Sequence, residues 1–207
     1  KNWEKPNRQK LHRALKKVEN RFDLAQQVQN DPLGLVLQYR EPKDQEIAAF
    51  IAAVFAYGNV KQIRKSVALV YEILGPNPHA TLIRLSGLDW KNRIPRTFKH
   101  RFNTADDLGL LLTWLGQALR QSETLERFFF DQSGATASFD LGSQIDSFVE
   151  RLSALPSAPY EKPKSKGALF FLPSPKNKSA CKRILLFLRW VAGTGPMALG
   201  IWKTLSP

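Results

Sequence analysis

Apolar residues at helical spacing, interrupted by residues that begin or end helices, constrain the fold of this chain most. Asp31-Pro32 places a capping side chain before a proline, which is a common helix start. Gly75-Pro76 ends a stretch in which apolar residues recur every three or four positions. No segment alternates apolar and polar residues for long enough to predict a sheet. The sequence therefore predicts an all-α fold.

Helix-start and helix-stop residues divide the chain into many short helices. Asn59, Thr104 and Ser122 are predicted N-caps, and Gly58 is a predicted left-handed C-cap. The predicted helices cover 8–29, as one helix or two, and then 32–39, 42–57, 60–74, 78–86, 105–119, 123–129, 145–155, 167–172 and 180–191. We expect them to form a single domain over residues 1–207.

Two adjoining segments near the end of the chain differ in composition from the rest. Residues 156–167 are rich in proline, serine and lysine, which predicts a flexible basic surface loop. Residues 167–192 then read as helix, basic loop and helix. In such a hairpin the loop amides and the start of the second helix can face a phosphate. Helical hairpins are common, so this pattern alone does not establish a function.

The second helix of that hairpin carries two cations on a mostly apolar surface. Its apolar residues point in all directions, which predicts burial, yet Lys182 and Arg189 lie two turns apart on one stripe. Ser179 is the predicted N-cap, so Lys182 falls in the first turn, where the helix dipole disfavours an ammonium group. A neutral amine is what a nucleophilic lysine requires. The alternative is a lysine that contacts phosphate or solvent.

Positive charge dominates the composition, with 31 Lys and Arg against 18 Asp and Glu, a net charge of +13. It is concentrated in residues 1–22, 84–101 and 161–190, where aromatic residues are interspersed. This predicts a nucleic-acid surface, before an anionic membrane surface. A helical adaptor that binds acidic proteins is a third alternative. No apolar run approaches the roughly 20 residues of a membrane span.

Cysteine and histidine content argues against a metal, a cofactor or an internal disulfide. Cys181 is the single cysteine, and we expect it to be a small buried core residue. The three histidines have no metal-ligand spacing. These features, with no visible signal peptide, predict a cytoplasmic, nucleoid-associated protein.

Several short blocks resemble a bacterial family usually described as a domain of unknown function. They are Asp31-Pro-Leu33, Asp44-Gln-Glu46, Ala53-Val-Phe-Ala-Tyr-Gly58, Arg101-Phe102, Ser179-Ala-Cys-Lys-Arg183, Phe187-Leu-Arg-Trp190 and Leu199-Gly-Ile-Trp202. That family is in turn similar to the helix-hairpin-helix DNA glycosylases, most closely the archaeal 8-oxoguanine type. The resemblance spans nearly the whole chain.

The resemblance implies a fold, a partner and a set of site residues. The fold would have two lobes, with a cleft between the 43–75 helices and the 167–192 hairpin. Double-stranded DNA would be the partner, and an oxidised purine such as 8-oxoguanine would be excised without cofactor or metal. Lys182 would be the nucleophile, and Tyr57 and Asn59 would line the base pocket unless they are a core aromatic and an N-cap. The expected DNA contacts are Lys176, Lys178, Arg183, Arg189 and Arg101.

Two departures from the family pattern bear on this expectation. Pro173 and Pro175 stand where typical hairpins carry Gly-x-Gly, so fewer loop amides can donate to phosphate. The family continues past Pro207 to a Leu-Asp-Thr-His block with the presumed catalytic aspartate. The resemblance thus implies a missing C-terminal part, an apolar groove open beside 184–202 that permits self-association, and little base excision by this chain. The alternative is a non-catalytic nucleic-acid-binding protein.

Overall fold

The computed structural model describes residues 7–19, 28–29, 31–130, 140–161, 167–195 and 197–204. The α-helices in these residues are α1 (Arg8–Glu19), α2 (Pro32–Val36), α3 (Pro42–Val54), α4 (Val60–Leu74), α5 (Pro78–Arg84), α6 (Gly87–Arg93), α7 (Ala105–Ser122), α8 (Leu125–Phe130), α9 (Leu141–Ala154) and α10 (Lys182–Ala192). Two 3₁₀ turns, Gly167–Phe171 and Pro175–Asn177, and a small antiparallel hairpin of β1 (Lys99–His100) and β2 (Asn103–Thr104) complete the described chain. The all-α prediction is confirmed apart from this hairpin.

Helix α3 is the centre of the fold and packs against α2, α4, α5 and α10. Every residue from 47 to 55 is fully buried. Alanine fills the positions between its large apolar residues, so neighbouring helices approach on all sides. Residues 47–54 of α3 are therefore buried on every face of the helix.

Helix α10 was predicted to be buried on nearly every face, and that prediction is wrong. Ile184, Phe187 and Trp190 are buried, but Lys182 and Arg189 are exposed. The helix is amphipathic because its two long cations share the outward face with Leu185, which is also exposed.

Helices α3 and α10 are in direct contact, so no open cleft separates these two helices. The Phe50 and Phe187 rings meet edge to face with centroids 5.2 Å apart. Arg183 of α10 donates a hydrogen bond to the Val54 carbonyl at 3.2 Å. A cavity on the hairpin side lies against α9, as described below.

Three of the predicted helix caps are confirmed. The Asp31 carboxylate accepts a hydrogen bond from Leu33 N at 2.9 Å, and the Asn59 side chain accepts one from Lys61 N at 2.9 Å. Thr104 forms a capping box with Asp107 at the start of α7. These caps were predictable because each side chain accepts a hydrogen bond from a backbone amide two or three residues further along the chain.

Other predicted boundaries are wrong where the local signal was ambiguous. Ser122 is the last residue of α7, and the hydroxyl of Thr124 caps α8 by accepting from Arg127 N at 3.2 Å. Helix α3 ends at Val54, with Gly58 (φ 104°) beyond its C-cap. The predicted 8–29 helix is present as α1, and residues 20–27 lie outside the described ones.

Residues 156–161 were predicted to belong to a flexible surface loop, but they pack on α7. Tyr160 is buried, and its ring lies so close to Gly109 that a Cβ there would stand 2.1 Å from the Tyr160 hydroxyl oxygen. Gln117 also donates to the Pro156 carbonyl at 2.7 Å. This part is therefore a loop that is held against α7, and residues 162–166 lie outside the described ones.

The C-terminal described residues fold back over α10. Leu199 N donates to the Trp190 carbonyl at 2.6 Å, and Trp202 N donates to the Val191 carbonyl at 2.8 Å. Both tryptophans are buried. The predicted open apolar groove beside them is wrong, because the described chain itself covers this part of α10. Among the described helices, none is both long enough and apolar enough to cross a membrane.

Candidate nucleic-acid interface

Lys182 is the first residue of α10 and is exposed. Cys181, at the N-cap position, adopts a left-handed conformation (φ 50°). Ser179 does not cap the helix as predicted, because its hydroxyl instead accepts from Cys181 N at 3.1 Å. Lys182 thus lies in the first turn, as expected, but its side chain faces solvent. Cys181 is buried, as predicted.

A cavity of about 830 Å³ lies between α9 and the 167–192 hairpin. It has both polar and apolar walls, which include Val149, Ser153, Phe170, Asn177, Ser179 and Arg183. Lys182 is not one of its lining residues. The predicted nucleophile therefore does not face this cavity.

Acidic side chains of α9 hold the hairpin loop. The Asp146 carboxylate accepts from Lys176 N at 2.9 Å and from the Ser174 hydroxyl. The Lys176 ammonium forms an ion pair with Glu150, and this hydrogen bond raises the pKa of Lys176. The Lys176 amide and ammonium are thus already engaged, which leaves them less free for phosphate than the sequence suggested.

Arg183 is turned inward from the start of α10. Its guanidinium donates to the Val54 carbonyl and to the Phe170 carbonyl. It also lies over the Phe170 ring, 4.4 Å from the centroid, and over the Tyr57 ring at 4.8 Å. Burial lowers the pKa of Arg183. This residue ties α3, the 3₁₀ turn and α10 together beneath the surface.

Tyr57 and Asn59 occupy different environments. The Tyr57 hydroxyl donates to the Asn103 carboxamide oxygen at 2.6 Å, and its ring packs edge to face on His100 with centroids 4.5 Å apart. Burial raises the pKa of Tyr57. Asn59 is exposed and engaged as the cap of α4. Tyr57 thus belongs to an aromatic cluster, and Asn59 matches the N-cap alternative.

The β1–β2 hairpin presents Arg101 and Phe102 at its tip. Both are exposed, and Arg101 is left-handed with φ 56°. The Phe102 ring meets the Phe170 ring edge to face with centroids 4.4 Å apart. Phe102, Phe170, Tyr57 and the Arg183 guanidinium therefore form one contiguous group, which we call the aromatic–cation cluster.

Two buried polar residues anchor that hairpin and were not singled out from the sequence. Asn103 is fully buried and donates to the Gly167 carbonyl at 2.8 Å. His100 is fully buried, with its Nδ1 2.9 Å from the Ser66 hydroxyl, and burial lowers the pKa of His100. Short-range patterns gave no sign of either role, since their partners lie 34 to 64 residues away.

Three of the predicted DNA contacts, Lys178, Arg189 and Arg101, are exposed and form no ion pair with another described residue. The predicted nucleophile, Lys182, is also exposed and without such an ion pair. Lys182 and Arg189 share the outward face of α10. Within the described ranges, no three His, Cys, Asp or Glu side chains come together in a way that could hold a metal ion.

A profile of the family described as Protein of unknown function (DUF2400) matches residues 31–207, most of the chain. The chain belongs to that family, which confirms the predicted domain of unknown function. No curated protein and no solved structure gives a significant match. The relation to DNA glycosylases therefore stays a prediction.

Proposed function

We propose that this protein binds double-stranded DNA and that Lys182 acts as the nucleophile of a base-excision reaction on an oxidised purine. One observation supports this best. Lys182, unpaired and exposed, opens a helix whose outward face also carries Arg189, and the next residue, Arg183, is part of the aromatic–cation cluster. Cations that can contact phosphates, aromatic rings that can stack on bases and an amine that can act as a nucleophile are thus all carried by α10 or by the cluster that contains its second residue, Arg183.

Binding would depend mainly on phosphate contacts. Lys178, Lys182 and Arg189 have no ion partner among the described residues to give up, so each can neutralise a phosphate at little cost. Arg183 is better suited to hold the aromatic rings in place than to reach the backbone, because its guanidinium already donates to two carbonyls. Lys176 would have to leave Glu150 to contribute.

The chemistry would begin with attack of the Lys182 amine on the sugar C1′ carbon. A bond forms between Nζ and C1′, and the bond from C1′ to the base breaks. The base leaves with the bonding electron pair and takes up one proton. Loss of a proton from nitrogen and opening of the sugar ring give an imine. Loss of a proton from C2′ then forms a C2′–C3′ double bond, and the 3′ phosphate leaves with the electron pair of the C3′–O bond, which cleaves the strand.

Non-catalytic binding of nucleic acid is the second candidate function. Its specific support is the exposure of Lys182 and the absence of this residue from the walls of the cavity beside α9. A nucleophile is usually held in a site that excludes water. If the protein binds nucleic acid without catalysis, Lys182 contacts a phosphate, as Lys178 and Arg189 would.

Borohydride trapping on a duplex with one abasic site distinguishes the two candidates, because imine formation with an abasic sugar needs no prior base excision. Lys182→Gln should abolish the trapped adduct and leave affinity nearly unchanged, since one charge among many is lost. Lys178→Gln is the matched control, because it removes an exposed, unpaired cation of the same loop–helix region and should preserve the adduct. An adduct that persists in Lys182→Gln would contradict the nucleophile assignment. DNA binding without any adduct in the wild type would favour the second candidate.

A further inference from the structure

We infer that Phe102 is a wedge that enters the base stack of duplex DNA, with Arg101 on the adjacent phosphate. The inference rests on the proposed DNA binding and names the part of the surface that would separate neighbouring bases. It concerns the tip of the β1–β2 hairpin, which lies outside the Lys182 region on α10.

The hairpin is anchored on both sides of its exposed tip. His100 and Asn103 precede and follow the tip, and both are fully buried and hydrogen bonded. Asn103 also accepts from the Tyr57 hydroxyl at 2.6 Å. The two tip residues are therefore presented outward from a fixed base, and insertion would require little ordering.

Phe102 differs from the other exposed apolar residues in its surroundings. It is 47% exposed, yet its ring is braced by the edge-to-face contact with Phe170. Arg101 beside it at the tip and Lys99 on β1 are both exposed cations. An exposed aromatic ring next to cations suits insertion between bases beside a phosphate backbone.

Arg101 combines an unusual backbone conformation with a side chain that lies against Gly58. A φ of 56° is unfavourable for a residue with a Cβ and is retained only where the surroundings enforce it. The Arg101 side chain runs beside Gly58, where an added Cβ would stand 3.0 Å from the arginine Cδ. Gly58 thus leaves room for this arginine, which follows the surface beside Gly58 and precedes the wedge residue in the chain.

Insertion of a phenyl ring would unstack one base step and fill the gap that an everted nucleotide leaves. Aromatic stacking on a base contributes about 1–3 kcal/mol, which corresponds to a change in affinity of about 5- to 150-fold. The preferred substrate would be a duplex in which one step is already weakly stacked, such as one with a mismatched or damaged base.

The test uses a duplex with 2-aminopurine beside a mismatch, whose fluorescence rises when the base is unstacked. Wild-type protein should raise the fluorescence, and Phe102→Ala should abolish the rise and weaken binding by about 5-fold or more. Phe102→Trp should restore both. Leu88→Ala is the matched control, because Leu88 is 63% exposed on α6 and should not affect either reading.

The outcomes separate this inference from the proposed function. If the wild type binds no duplex at low salt, both are overturned. If it binds and Phe102→Ala gives the same fluorescence rise and affinity, the wedge is overturned and DNA binding stands. The thermal melting of Phe102→Ala should stay close to that of the wild type, because Phe102 is 47% exposed, and this measurement protects the test from a folding defect.

Discussion

The indole N–H of Trp202 donates a hydrogen bond to the Glu46 carboxylate, with Nε1 2.6 Å from Oε1. The same carboxylate accepts from Leu125 N at 2.8 Å and from Glu126 N at 3.0 Å. Glu46 is buried, so three donors from two distant segments satisfy it in the interior. This one side chain joins α3, the start of α8 and the C-terminal described residues.

Loss of the indole donor should destabilise the protein measurably. Trp202→Phe keeps an aromatic ring but removes the hydrogen bond to a carboxylate. Trp114→Phe is the control, because the buried Trp114 N–H has no hydrogen-bond partner in the described part of the chain. The free energy of unfolding, measured with urea, should fall by about 1.5–3 kcal/mol more in Trp202→Phe than in the control. Equal losses would contradict this role for the Trp202 N–H.

The Glu46 carboxyl should make stability depend on pH. Burial raises the pKa of Glu46 from 4.5 to about 6, although the three donated hydrogen bonds lower it. Between these values the folded protein holds the proton that the unfolded chain releases. The stability contributed by this group is therefore fully present below pH 4.5 and is lost as pH rises through about 6. The loss should amount to about 2 kcal/mol.

Glu46→Gln isolates this effect from the other titrating groups. His100 makes stability rise with pH, because burial lowers its pKa. Both proteins contain His100, so its contribution cancels in the difference between their unfolding free energies. The unfolding free energy of the wild type minus that of Glu46→Gln should decrease from pH 4.5 to pH 6. A difference that is constant with pH would show that Glu46 has the same pKa in both states.

The packing of residues 156–161 on α7 can be tested with two glycines. Gly109→Ala would place a methyl group 2.1 Å from the Tyr160 hydroxyl oxygen, so it should destabilise the protein by about 1–3 kcal/mol. Gly142→Ala is the matched control on α9, where the nearest atom would be 3.5 Å away. It should stabilise by up to about 1 kcal/mol, since alanine favours helix. Chemical denaturation measures both, and a neutral Gly109→Ala would contradict the packing.

The proposed DNA binding should depend steeply on salt. If six or more phosphates are neutralised, affinity should fall by about 10³-fold or more between 50 and 200 mM salt. Arg189→Gln should reduce the slope of log affinity against log salt by about 1, as expected for one lost phosphate contact. Fluorescence anisotropy on a plain duplex, with RNA and an acidic protein as competitors, measures these quantities. A flat salt profile would contradict an electrostatic DNA interface and favour the adaptor.

Several helix starts could be predicted from the sequence, because a helix cap depends on contacts between residues that are close together in the chain. Asp31, Asn59 and Thr104 cap helices as predicted, because each acceptor meets an amide two or three residues away. The same reasoning failed at Ser179, where a left-handed Cys181 intervenes before the helix begins. A capping residue indicates that a helix starts nearby, but the conformation of the residues that follow decides where.

The candidate site was predictable in part. Lys182 and Arg189 share a face of α10, as their seven-residue spacing indicates. The inward turn of Arg183 was not predictable, since it depends on the Val54 and Phe170 carbonyls, the former 129 residues away. The anchoring of the hairpin by His100 and Asn103 is likewise long range. Contacts of this kind leave no periodic signal in a single sequence.

The complete burial of residues 47–55 in α3 also bears on how the protein is made. Its partners include α2 on one side of the sequence and α10 on the other, so part of its surface stays uncovered until residues near 192 have left the ribosome. The nascent chain must keep some of the apolar residues 47–55 exposed until α10 has been made. The core around α3 is therefore expected to close only after α10 emerges, with α3 as the segment that a chaperone would shield.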